Sequence, residues 1–223
     1  LKTKNAIFKN GRLEWKEKVT TEEKKIIGTD FIGGEQYWDL VLTPEEKEKL
    51  LIPQHAIEIT LNYLHATNKE PHKYPITTQS QDCVIKLTDG LTKKIGFGSS
   101  AAACVGIVKA ILELHGIETK THARLERVFK LACIAHFNAQ GKVGSSFDVA
   151  ASTFGGMLLY KRFDPKWLEE QSKSGKNIAQ IVDAQWPELH IEPLSTPKNF
   201  ELLIGYTGPD SSTKEMIKKV QAC

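Results

Sequence analysis

The chain has 223 residues, of which 40% are apolar and 26% charged. That is the balance of a globular protein, with material for one large or two modest domains around a substantial core. The formal net charge of +3 is spread along the sequence, which excludes a basic nucleic-acid surface and merely permits an anionic small-molecule substrate. No apolar run approaches a membrane span, and no signal peptide precedes Leu1. Cys83, Cys104, Cys133 and Cys223 form no C-x-x-C pair. Cys104 and Cys133 sit in apolar helical stretches, so buried free thiols and a reducing, cytoplasmic setting are expected. The chain opens on Leu1 and closes in an uncapped helical pattern, and both ends read as cuts in a longer protein.

Residues 1–50 are polar and weakly periodic, with a turn expected at Gly33-Gly34 and Trp15 and Trp38 as anchors. Thr43-Pro44 opens a helical pattern that Pro53 interrupts, giving a short helix and then a second over 54–65. Residues 66–80 read as an exposed loop, Asp82–Thr88 as a short strand, and Asp89–Gly98 as another loop. A helix over Ser100–His115 places Ala102, Val105, Val108, Ile111 and Leu112 on one apolar face and stops at Gly116. The next begins near Thr121, runs to about Asn138 and turns Leu125, Val128, Phe129, Ala132 and Ala135 inward. The Gly141–Ser146 loop leads to a short helix over Phe147–Phe154, after which Gly155-Gly156 opens a strand over Met157–Phe163. Residues 164–198 are mixed, Phe200–Tyr206 reads as a strong strand, and Thr213–Val220 starts a helix. Without repeats or a regular strand–helix–strand rhythm, the fold class is α+β.

Two stretches carry chemistry. Lys94-Ile95-Gly96-Phe97-Gly98-Ser99-Ser100-Ala101 sets glycines and serines directly ahead of an apolar helix. Glycines let a ligand approach the backbone closely, and the helix start offers unpaired N–H groups and a positive dipole end to an anion. Serine hydroxyls can bond phosphate oxygens or a hydrated Mg²⁺. This is the pattern of a nucleotide phosphate cradle, although it is neither a P-loop nor a dinucleotide fingerprint. The same residues also read as a turn that caps a buried helix. The second stretch, Gly141–Gly156, holds Asp148 among small and apolar neighbours. Asp148 reads either as a first-turn acid favoured by the helix dipole or as a carboxylate that orients or deprotonates an acceptor oxygen. His136 lacks a metal-ligand partner at suitable spacing and reads as structural.

Gly96-Phe97-Gly98-Ser99-Ser100-Ala101-Ala102 resembles the P-x-x-x-G-L-G-S-S-A-A signature of the GHMP kinases, and the Asp148 stretch is similar to the segment that holds that family's catalytic aspartate. Lys93-Lys94-Ile95-Gly96-Phe97-Gly98 resembles the K-Y-G-L-G-S-S form of the phosphomevalonate kinase branch. Gly205-Tyr206-Thr207-Gly208 through Ser212-Thr213 resembles that branch's G-W-T-G-x-P-A-S-T segment. Phe97, Tyr206 and Ser211 replace Leu, Trp and Ala with little change of size, and Pro209-Asp210 reverses the position of the proline. The family's N-terminal strand with its lysine and its C-terminal glycine-rich motif have no match, and the resemblance covers roughly residues 55–220.

The resemblance implies a GHMP-like α+β fold of two mixed layers, with the ATP loop between a strand and a helix. It implies a nucleotide-binding domain over 1–150, incomplete at its start, and the beginning of a second domain over 151–223. Gly96, Gly98, Ser99, Ser100 and Ala101 would form the ATP phosphate loop, with Ser100 also near Mg²⁺ and Lys94 neutralising phosphate charge. Asp148 would be the catalytic carboxylate; Ser145 and Ser212 would contact substrate. Ser145 also reads as a plain turn residue, and Ser212 as the cap of the helix after it. The implied activity is ATP-dependent phosphorylation of 5-phosphomevalonate, without nucleic-acid or membrane partners. Two alternatives remain at this stage: mevalonate kinase, and a catalytically inactive ligand-binding protein of the same fold.

Overall fold

Pro53 decides the course of the first long helix. Proline has no N–H to give to the carbonyl four residues back, and its ring crowds that carbonyl. The stretch α1 (Pro44–Ala66) accordingly breaks its geometry at Leu50 (φ −110°, ψ 15°) and consists of two helices joined across that kink, as expected, with the break three residues ahead of the proline. The structure is a computed structural model that describes residues 4–9, 12–17, 38–40, 44–70, 84–86, 90, 92–94, 98–140 and 144–203, with side chains over 50–70, at 90, and over 98–139 and 144–203.

Past the kink, α1 is buried on every side: Ala56, Ile57, Ile59, Leu61 and Leu64 are no more than 1% exposed. Its buried polar groups are paired locally, Thr60 Oγ1 donating to the Ala56 carbonyl (2.6 Å) and Asn62 Nδ2 to the Glu58 carbonyl (2.8 Å). Pairing of this kind removes most of the cost of taking such groups out of water. Helix α2 (Ser99–Leu114) and helix α3 (His122–Gln140) both pack on α1, and α4 (Phe147–Phe154) packs on α2 and α3. Gly116 ends α2 as expected: at φ 71° it lets Ile117 N–H reach the Leu112 carbonyl (2.9 Å) while its own N–H reaches Glu113 (3.0 Å), a helix stop that favours glycine.

Around the helices lie three small sheets. In the first, β1 (Lys4–Lys9) pairs antiparallel with β2 (Arg12–Glu17) and parallel with β3 (Trp38–Leu40). The second joins β4 (Val84–Lys86) antiparallel to β5 (Thr92–Lys94), and the third joins β6 (Met157–Lys161) antiparallel to β7 (His190–Leu194). Helices α5 (Pro165–Lys173) and α6 (Ile178–Asp183) fill the long connection between β6 and β7. The α+β expectation is met, and the glycine-serine loop does lie between a strand, β5, and a helix, α2.

The differences from the sequence reading are local. Asp89–Gly98 contains β5, and residues 164–198 resolve into α5, α6 and β7. The strand expected from Phe200 is not formed over Phe200–Leu203, where Leu203 is 90% exposed. Apolar and β-branched propensity makes a strand only where a partner ladder and a covered face exist. Residues 204–206 and the Thr213–Val220 helix lie outside the described residues. No helix among the described residues is long and apolar enough to cross a membrane.

An aromatic seam ties α3 to α4 and β6. Phe129, fully buried, lies with its ring centroid 6.1 Å from that of Phe154 and 6.1 Å from that of Tyr160. Phe129→Ala is expected to lower the unfolding free energy by about 3–5 kcal/mol in urea denaturation; a loss under about 1 kcal/mol would show that the seam is dispensable.

The two helical cysteines are free and buried, as expected. Cys104 Sγ donates to the Ala132 carbonyl across the α2–α3 contact (3.5 Å). Burial, seconded by the charge of Asp148, pushes the Cys104 thiol from 9.0 up to about 12. The unfolded chain therefore ionises first on the alkaline side, so this contribution to stability is whole below pH 9.0 and is lost as pH rises toward about 12. Cys104→Ala is expected to flatten the fall of stability with pH across that window, measured as denaturation midpoints; an unchanged slope would contradict the assignment.

Candidate active site

Helices α2 and α4 begin alike. Helix α2 starts inside a Gly-Ser-Ser run, Gly98-Ser99-Ser100, and α4 directly after another, Gly144-Ser145-Ser146, and each has a left-handed residue at its N-cap: Gly98 (φ 72°, ψ 32°) and Ser146 (φ 59°, ψ 17°). Glycine holds that conformation without a Cβ penalty, whereas for serine it costs on the order of 1 kcal/mol. Such strain persists only where the surroundings fix it. Ser146 is buried, its carbonyl accepts the Ala150 N–H (3.0 Å), and its side chain bonds the Cys133 thiol.

Neither N-cap side chain closes its helix. In α2 the first helical bond runs from Ala102 N–H to the Gly98 carbonyl (3.0 Å), so the N–H groups of Ser99, Ser100 and Ala101 precede the ladder and carry the positive end of the helix dipole. The first turn of α2 holds no acid, while that of α4 holds Asp148, whose Oδ1 accepts the Val149 N–H (2.9 Å). The two starts meet: a Cβ on Gly98 would lie 3.5 Å from Asp148 Cβ. A Cβ at that distance would make ordinary contact, so it is the left-handed φ of Gly98 that favours glycine where the two helix starts come together.

Asp148 is also the charge felt by the buried groups around it. It raises the pKa of Cys104, Cys133 and Tyr160 and partly offsets the lowering of His136. For His136 burial is the larger effect and holds the imidazole below 6.5, so it is neutral at neutral pH. Its Nε2 lies 3.4 Å from Ser100 Oγ. Tyr160 donates its hydroxyl to the Ser145 carbonyl (2.8 Å), fixing the loop that leads into α4. Arg162, one residue beyond β6, lowers the pKa of both Cys133 and Tyr160.

Of the residues singled out from sequence, Gly98, Ser99, Ser100, Ala101 and Asp148 are thus brought together, with Ser145 exposed on the loop ahead of α4. Lys94 ends β5, on the strand that leads toward α2, and its side chain lies outside the described residues, as do Gly96 and Ser212 entirely. Sequence reasoning left out His136, Ser146 and Tyr160. His136 belongs here although it sits on a buried helix face, because the contact that places it crosses from α3 to α2 and has no sequence spacing. Ser146 did carry a signal, as the last residue of a glycine-serine run before a helix start.

Comparison with known proteins agrees with this geometry. Residues 55–156 match the family described as GHMP kinases N terminal domain. Phosphomevalonate kinase of Streptomyces sp. (strain CL190) is 33% identical over 125 residues, which cover 56% of this chain and 32% of that protein. The chain spans about a third of the length of the curated relatives it matches. Among solved structures, the Lin0012 protein of Listeria innocua superposes with a TM-score of 0.69 at 25% identity, covering 99% of this chain and 53% of the other. Streptococcus pneumoniae phosphomevalonate kinase, solved in complex with phosphomevalonate and AMPPNP, superposes with a TM-score of 0.61 at 22% identity over 82% of this chain and 50% of that one, a likeness of fold. Residues 55–156, which include both glycine-serine helix starts, are thus similar to a GHMP kinase N-terminal domain.

Proposed function

We propose that the protein is an ATP-dependent phosphotransferase that moves the γ-phosphoryl group of ATP onto the phosphate of 5-phosphomevalonate, giving 5-diphosphomevalonate and ADP on the route to isoprenoids. The observation that carries this reading is the approach of the α2 N-terminus to Asp148, with Gly98 at the point of closest passage. The relatives' activity supports the choice of acceptor. The proposal includes a nucleotide-binding unit over 1–150 and the start of a second unit over 151–223, with α4 running across the junction.

The residues present suit Mg·ATP. Three N–H groups ahead of the α2 ladder match the acceptors of a phosphate chain. The Ser100 hydroxyl and the Asp148 carboxylate are the hard oxygen donors that Mg²⁺ takes alongside phosphates and water. Bound Mg·ATP supplies the transferable phosphoryl group and a cation to spread its charge. The chain's own part is positioning and neutralisation, which dominate phosphoryl transfer. Ser99, Ser100 and Ala101 hold the phosphates against the helix dipole, and Lys94 adds positive charge on the strand side. Ser145 and Ser212 hold the acceptor. A phosphate monoester is already largely ionised near neutral pH, so Asp148 acts by orienting the cationic partners rather than by removing a proton. A cytoplasmic location belongs to the same proposal, supported by the two buried free thiols.

The deciding experiment assays the full-length enzyme with mevalonate, 5-phosphomevalonate, homoserine and galactose under identical Mg·ATP. Turnover of phosphomevalonate alone is expected. Faster turnover of mevalonate would reassign the acceptor, and no turnover of any would favour a ligand-binding protein. Gly98→Val is expected to weaken Mg·ATP binding about tenfold or more in calorimetry, because it imposes a strained left-handed β-branched residue beside Asp148. Unchanged affinity would remove the phosphate-loop assignment. Asp148→Asn keeps size and removes charge; kcat is expected to fall by about 100-fold or more. Near-full kcat with a lower denaturation midpoint would leave Asp148 as a helix-start acid alone.

A further inference from the structure

A buried imidazole on an apolar helix face calls for a reason. His136 is 5% exposed on α3, between the buried Ala135 and Phe137, and taking a ring with two polar nitrogens out of water is costly unless both are used. One use is visible: Nε2 lies 3.4 Å from Ser100 Oγ, joining residues 36 apart in sequence at the first turn of α2. Asp148 acts on the same ring from α4. The ring is therefore the buried partner of a half-buried hydroxyl in the first turn of α2.

A serine hydroxyl is a rotor whose hydrogen turns to whichever acceptor is offered. If that hydrogen pointed outward, it would oppose a cation held at the phosphate loop. If it is bonded inward, the oxygen lone pairs turn outward. We propose that His136 is a positioning residue for Ser100, its Nε2 accepting the Ser100 hydroxyl hydrogen so that the Ser100 oxygen is presented as a ligand to the divalent cation of the nucleotide. The inference rests on the nucleotide-site reading of Ser100 and adds a residue that the phosphate-loop motif does not contain. Groups that orient a metal ligand act on affinity and rate much as ligands do, typically by about 10- to 100-fold.

His136→Leu keeps bulk and removes the acceptor; His136→Gln keeps an acceptor at similar reach. In the full-length enzyme, His136→Leu is expected to weaken Mg·ADP binding in calorimetry and to raise the Mg²⁺ needed for half-maximal rate, each by about 10- to 100-fold, with KM for the acceptor unchanged. His136→Gln is expected to restore most of both. In a Ser100→Ala background His136→Leu should add nothing, because both changes remove the same interaction. In nucleotide-free protein, Ser100→Ala should shift the ¹⁵N resonance of His136 Nε2, a readout that needs neither activity nor a folded Leu variant. Equal effects of Leu and Gln, additivity with Ser100→Ala, or an unmoved ¹⁵N resonance would each overturn the proposal. Wild-type protein that binds no Mg·ADP would instead remove the nucleotide reading, and the ¹⁵N shift would still judge the hydrogen bond.

Discussion

The site depends on one close passage, where the start of α2 runs past the start of α4 with no side chain between them. At Gly98 a Cβ would sit 3.5 Å from Asp148 Cβ, and the backbone there is left-handed. The left-handed φ is what selects glycine, since 3.5 Å is ordinary contact for a Cβ. At this passage the start of one helix lies beside the first-turn carboxylate of another. That juxtaposition would be repulsive for a bound phosphate unless positive charge fills the gap between them. A divalent cation and Lys94 are the charges the reading assigns to that gap, which is why the two helix starts have meaning together and neither has much alone.

The rest of the fold holds this passage in place. The buried half of α1 supports α2 and α3 from one side, and the Phe129–Phe154–Tyr160 seam ties α4 and β6 to α3. Tyr160 reaches from β6 to the Ser145 carbonyl, so the entry to α4 is held by that bond and by buried Ser146. Ser146 adopts a conformation that serine normally avoids, and the cost falls where two helices and a loop all constrain it. Stability and site geometry are thus the same set of contacts.

Much of this was legible in the sequence where the signals are local. The glycine-serine runs, the apolar faces of α2 and α3 and the limits of α4 all follow from caps and periodicity over a few residues, and they emerged within a residue or two. Other local signals went unread. Asn10-Gly11 separates β1 from β2 and is a strong hairpin signature between alternating segments. Asp164-Pro165 starts α5, Asp164 accepting from Lys166 N–H (2.9 Å), and Asn177 with Gln180 forms a capping box at α6 (3.0 Å each way). What no pattern could show is the pairing across elements. His136 meets Ser100, and Asp148 meets Gly98, only because α2, α3 and α4 pack together. Conversely, Phe200–Leu203 had the composition of a strand without the partner that makes one.

The most direct measurement of the central claim maps backbone amide ¹H–¹⁵N shifts as Mg²⁺ and a non-hydrolysable ATP analogue are added to the full-length protein. The expected result is that Ser99, Ser100 and Ala101 at the start of α2 and Phe147 and Asp148 at the start of α4 move together with one dissociation constant. Nucleotide binding that leaves both helix starts unmoved, or that moves α2 alone, would contradict a shared site between them.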